Sequence, residues 1–248
     1  LFNIITGRSQ PGGPDHNYYI AKFETTCEQF LKFLNDAQAH TNTPRGQFMF
    51  FDNIGNVWIN PEMQKNRDEL FQIKSSYLVY HPGKNPGERY DHIRSKQDNS
   101  APFAKYPITG VSWFGAVKYC NWLTLYAGRN ISELCYREGT NSFDWAPVTA
   151  TNWTAGIFTD AERYLILQKK GFRLPMVNSE PFIMSTNKFN EFYIAAAWTG
   201  YRNSRYGFGR DSGDEWDANV ATPAEKNPTL LPVGIYNGNF LKKNKLLR

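Results

Sequence analysis

The sequence predicts an α+β fold with few helices, short antiparallel strands and long loops. Apolar residues recur at helical spacing in only three stretches, and strand-like composition comes in runs of a few residues. Long segments punctuated by Gly, Pro, Asn and Asp lie between them. The third observation is bulk: 14 Tyr, 18 Phe and 7 Trp among 248 residues can fill a sizeable core without long regular elements. No internal repeat and no linker divides the chain. One domain over residues 1–248 is therefore expected, with 240–248 as a basic tail.

Composition removes several classes. With 41 % hydrophobic residues the chain is neither disordered nor fibrous. Its longest apolar run is a few residues, so no membrane span is expected. The net charge is +5, but Lys and Arg are scattered rather than gathered in a stripe, which argues against a nucleic-acid partner. The one dense basic cluster, residues 242–248, reads as a solvated tail. The chain opens at Leu1-Phe2-Asn3 without Met and reads as a mature, processed or partial product. Cys27, Cys120 and Cys135 have no metal-ligand spacing. One disulfide with a leftover thiol, or three buried thiols, both fit.

In chain order, residues 18–23 have strand composition. Thr25-Thr26 followed by Glu28 and Gln29 makes two overlapping capping boxes, and Phe30, Phe33, Leu34 and Ala37 then mark a helix over 26–38. From 39 to 106 the chain is irregular, apart from a hairpin: Phe48–Phe51, a turn over 52–56, and Val57-Trp58-Ile59. Ser112 caps a second helix over 113–123, with Trp113, Ala116, Val117, Cys120 and Leu123 expected on its buried side. Residues 128–170 read as loop. A third helix over 186–197 presents Phe189, Phe192, Tyr193 and Ala196 to the core.

Four segments then carry a resemblance. They are Tyr19-Ile20-Ala21-Lys22-Phe23-Glu24-Thr25-Thr26; Tyr106-Pro107-Ile108-Thr109-Gly110-Val111-Ser112-Trp113 running on through Tyr119-Cys120-Asn121-Trp122-Leu123; Gly171-Phe172-Arg173-Leu174-Pro175 with Asn190–Ala197; and, more weakly, Tyr206–Gly209, Asp217–Val220 and Leu231–Gly234. In this order they resemble the formylglycine-generating-enzyme (sulfatase-modifying-factor) family, whose fold is C-type-lectin-like. The resemblance covers about 18–239. Ser112 reads as a cap, Trp113 and Trp122 as core anchors, and Arg173 as a loop fastener.

The resemblance implies structural calcium at the Asn219 side chain and the Val220 carbonyl, with Glu225 as a downstream carboxylate. An Asn-stabilised turn is the other reading. The late family motifs and the redox-active, copper-binding cysteine pair would follow Gly234 and do not, so no catalytic residue is assigned and copper is not expected in this chain. Gly55-Asn56-Val57-Trp58 spells the start of one late motif, but it lies upstream and reads as a hairpin turn. The lead expectation is a non-catalytic binding, display or structural module. The partner would be a protein or glycan ligand, or an oligomeric assembly, in an extracellular, cell-surface or periplasmic setting. The alternatives are a copper-dependent oxidase of sulfatase cysteines whose catalytic part lies further on, and a component of a surface or viral assembly. His16, His40, His81 and His92 read as exposed loop residues, and Asn130-Ile131-Ser132 and Asn152-Trp153-Thr154 as glycosylation sequons.

Overall fold

A computed structural model of the chain describes residues 2–5, 16–60, 68–176, 191–197 and 231–233. In chain order they form β1 (Phe2–Ile5), β2 (Tyr18–Ala21), α1 (Cys27–Ala39), β3 (Phe50–Phe51), β4 (Val57–Trp58), β5 (Glu69–Phe71), β6 (Leu78–Tyr80), β7 (Tyr90–His92), α2 (Trp113–Tyr126), β8 (Tyr136–Arg137), β9 (Ala146–Pro147), α3 (Asp160–Ile166) and α4 (Glu191–Ala197). The strands pair antiparallel as β1–β2, β3–β4–β5, β6–β7 and β8–β9. Short strands, few helices and long connections are thus what the described residues form. None of their helices is long and apolar enough to cross a membrane.

The chain divides into two compact units, Thr25–Leu174 and a second made of Leu1–Glu24 with Pro175–Arg248. In the larger unit α1 starts where expected. Of the two overlapping capping boxes, the one that forms is Thr26 with Gln29: the Gln29 N–H donates to Thr26 Oγ1 at 3.3 Å and the Thr26 N–H to Gln29 Oε1 at 3.0 Å. Phe30, Phe33, Leu34 and Ala37 are buried as their spacing requires.

Ser112 caps α2 by accepting from the Gly115 N–H at 3.2 Å, and the helix runs past the expected end to Tyr126. Its buried side differs from the expected one. Val117 and Cys120 are buried, but Trp113, Ala116 and Leu123 are half-buried, while Lys118, Asn121, Trp122 and Thr124 turn inward. Polar residues can occupy that face because each finds a partner there. Thr124 Oγ1, for example, donates to the Cys120 carbonyl at 2.9 Å and accepts from the Phe172 N–H at 2.8 Å.

The core of this unit is aromatic. The Phe30 ring lies 5.0 Å from Phe33, 5.4 Å from Phe71 and 5.6 Å from Tyr119; Phe33 lies 5.4 Å from Trp122. Trp122 Nε1 donates to Asp36 Oδ2 at 2.7 Å, joining α2 to α1. Asp36 also accepts from Arg45 Nη1 at 3.0 Å.

Residues 128–170, expected as loop, include the capped helix α3. Thr159 accepts from the Glu162 N–H at 3.3 Å, and the Glu162 carboxylate accepts from the Thr159 N–H at 2.7 Å.

In the smaller unit, β1 and β2 pair with Phe2 opposite Ala21 and Ile5 opposite Tyr18. The face of α4 that turns inward is not the expected one. Phe192 is 65 % exposed and Ala196 is exposed, whereas Glu191 and Ile194 are buried; Phe189 and 186–190 lie outside the described residues. Glu191 fixes this rotation. Its carboxylate accepts from the Met176 N–H at 2.8 Å and lies 2.7 Å from His16 Nε2, and its carbonyl accepts from the Tyr18 hydroxyl at 2.7 Å. Three hydrogen-bonding partners at one buried residue outweigh the burial of a single Phe ring.

Candidate functional site

The expected calcium residues Asn219, Val220 and Glu225 lie outside the described residues. Cys27, Cys120 and Cys135 are all free and buried, which selects the three-thiol reading. Burial pushes the Cys120 thiol up to about 12 and the Cys135 thiol up to about 11. The thiolate is the nucleophile and metal ligand, so both sulfurs are held in their unreactive form. Among the described residues no group of three or more His, Cys, Asp or Glu side chains is placed to hold a metal ion.

The histidines divide. His81 is exposed as expected, and His40 is half-buried with Nδ1 2.7 Å from the Asp36 carbonyl. His16 is not an exposed loop residue, because the buried Glu191 draws it inward. The Asp91 carboxylate accepts from the His92 backbone N–H at 2.8 Å and from Arg94 Nη2 at 2.9 Å, so it does not address the imidazole. Burial lowers the His92 pKa and leaves Nδ1 without a hydrogen-bond partner. Arg173 fastens its loop as expected, donating from Nη1 to the Leu174 carbonyl at 3.2 Å.

The described residues form a groove of about 560 Å³ lined by Phe50, Phe51, Asp52, Asn53, Tyr80, Pro82 and Arg89. That volume is in the range of small-ligand sites. Two hairpins build it. The first is the expected one, β3–β4, with Phe50 opposite Trp58 and Phe51 opposite Val57. Its turn is organised by Asp52, which accepts from the Ile54 N–H at 3.0 Å, the Asn56 N–H at 2.9 Å, Asn56 Nδ2 at 3.0 Å and Trp58 Nε1 at 3.1 Å. Burial opposes ionisation of this carboxyl, but the bonds from Trp58 and Asn56 outweigh it and hold the pKa below the usual carboxylate value. Gly55 takes φ 97°, and a Cβ there would come within 2.6 Å of the Tyr80 side chain. The tip therefore requires glycine on two counts.

The second hairpin is β6–β7, with Tyr80 opposite Tyr90 and their rings 4.9 Å apart. The Tyr90 hydroxyl donates to the Gly55 carbonyl at 3.0 Å, tying the two hairpins together. Arg89 donates from Nε to the Lys84 carbonyl at 2.8 Å and from Nη1 to the Tyr80 hydroxyl at 3.5 Å, which also accepts from Gln38 Nε2 at 3.3 Å. Among the described residues Nη2 has no hydrogen-bond partner. The result is a groove with aromatic walls, a saturated carboxylate and one oriented guanidinium. Neither Tyr80 nor Arg89 stood out in the sequence. Tyr80 closes a three-residue strand with no long alternation, and Arg89 acquires its role only when the hairpin folds back on Lys84.

An α+β scaffold whose loops carry such a groove defines a class of small loop-rich domain. The particular family follows from a match over residues 14–241: the chain belongs to the sulfatase-modifying factor enzyme 1-like domains. Comparison with curated proteins and with solved structures gives no match.

Proposed function

We propose that this chain is a binding and display module that recognises an acidic saccharide in the groove between the two hairpins. The observation that carries the reading is the arrangement of Arg89 among Phe50, Phe51, Tyr80 and Pro82. Aromatic faces and a proline ring offer apolar surface to the C–H face of a sugar. The Arg89 guanidinium, held by Nε on the Lys84 carbonyl and by Nη1 on the Tyr80 hydroxyl, offers its Nη2 N–H groups as charged donors to a carboxylate oxygen. Asp52 does not compete, because its oxygens are already taken by four donors. The groove is built on residues 39–106, between the first helix and the most specific family segment, where loop variation on a rigid scaffold sets specificity.

The test is titration of the chain with oligosaccharides containing uronic acid and with their carboxyl-reduced counterparts. The acidic series binds and the reduced series binds at least tenfold more weakly; Arg89→Ala removes the difference between them. Equal binding of both series by the wild type would exclude the reading. A bound structural calcium at Asn219, Val220 and Glu225 belongs to the same proposal and rests on the family resemblance. Chelator then lowers the melting midpoint of the wild type and leaves Asn219→Ala unmoved; a chelator-insensitive wild type removes the calcium from the account.

A further inference from the structure

Lys118, Asn121 and Glu138 form a closed polar cluster inside the larger unit, and none of them lines the groove. Lys118 and Asn121 stand one turn apart on α2, where positions i and i+3 are neighbours. Both are fully buried, and the Glu138 side chain is 5 % exposed. Lys118 Nζ donates to Glu138 Oε2 at 2.5 Å and to the Pro44 carbonyl at 3.1 Å. Asn121 Nδ2 donates to Glu138 Oε1 at 2.7 Å and to the Tyr136 carbonyl at 2.9 Å. Asn121 Oδ1 accepts from the Tyr136 N–H at 3.3 Å.

One carboxyl group therefore carries an amine on one oxygen and a carboxamide nitrogen on the other. A backbone N–H rests on the carboxamide oxygen. A simple ion pair would need only the first of these contacts. Burial drives both titrating partners toward neutrality, lowering the Lys118 pKa and raising that of Glu138. A neutral amine is the nucleophilic form, and a protonated acid is what a departing nitrogen requires.

We propose that this cluster is a self-processing site, at which Lys118 Nζ attacks Asn121 Cγ to form an intramolecular amide with release of ammonia. The Nζ–Cγ bond forms and the Cγ–Nδ2 bond breaks. Nζ gives up one proton to the Glu138 carboxyl group, which delivers one to Nδ2, so the leaving group departs as ammonia. Nothing is oxidised or reduced. The Tyr136 N–H faces the oxygen on which negative charge develops during attack. Placement on a single helical turn, with both side chains on one carboxyl group, makes the encounter intramolecular. The product staples that turn of α2 covalently.

Intact-mass measurement and tryptic mapping of the purified folded chain test this directly. The wild type is lighter than its sequence by one ammonia, and the denatured chain yields fragment 106–129 uncut after Lys118. Lys118→Met and Glu138→Gln keep the full mass. Chain held in denaturant from the outset also keeps it, and loses ammonia only on refolding. Should either variant fail to fold, the wild-type map decides alone: full mass with ordinary cleavage after Lys118 overturns the proposal. Loss of one water in place of ammonia overturns it too, because the amide would then join Lys118 to Glu138.

Discussion

Glu162 shows how much of this fold rests on single carboxylates. It accepts from the Thr151 N–H at 2.8 Å, the Thr151 hydroxyl at 2.6 Å, the Thr159 N–H at 2.7 Å and the Thr159 hydroxyl at 2.9 Å. The Thr151 hydroxyl leads a set of donors that favour the ionised form and lower the pKa to about 2. A carboxylate depressed in the folded state contributes stability above its unfolded pKa of about 4.3. That contribution drains away as pH falls through the window from there toward 2. Glu162→Gln therefore melts below the wild type at neutral pH, and the two midpoints converge as pH is lowered through that window. Thermal melts across pH check it; a gap that stays constant into acid would contradict it. The Thr159–Glu162 pair is a capping-box signature in plain view, yet residues 128–170 read as loop. The helix it starts is too short to show a period, which is what a sequence reading relies on. Lys118 and Asn121 were hidden for another reason. Their spacing puts them on α2, but nothing local shows that Glu138 will meet them inside.

Among the elements, α1 was the most legible, because everything that specifies it lies within a few positions. Thr26 and Gln29 close its first turn on each other, and its apolar stripe repeats through Ala37. Thr26→Ala leaves the Gln29 N–H without its cap and costs about 1 kcal/mol, as such caps do. Urea titration reads this as a lower midpoint at unchanged slope; an unmoved midpoint would show that tertiary packing alone holds the helix. The strands were far less legible. β3 and β4 are adjacent hairpin partners with turn residues between them, and they were found. β8 and β9 have two residues each and are defined only by Tyr136 lying opposite Pro147 and Arg137 opposite Ala146. In α4 the apolar period was real but misassigned the inward face, because a buried glutamate set the rotation.

At the scale of the whole molecule, the fold class and family came from ordered segments that each encode a local device: a strand, a capped helix, a turn. The groove could not be foreseen in the same way. Its described lining comes from both hairpins, and the Arg89 guanidinium depends on a backbone carbonyl and a tyrosine hydroxyl for its orientation. The junction of α1 and α2 has the same long-range character and carries a kinetic consequence. The Asp36–Trp122 hydrogen bond joins residues 86 positions apart, and the Phe30, Phe33, Tyr119 and Trp122 rings meet across the same interval. Both helices have local caps and can flicker into being early. Their encounter must first close that span, an entropic cost met before the rings interlock. During that search the aromatic faces lie open to other chains, so the yield of refolding is expected to fall as chain concentration rises, which dilution from denaturant at several concentrations checks.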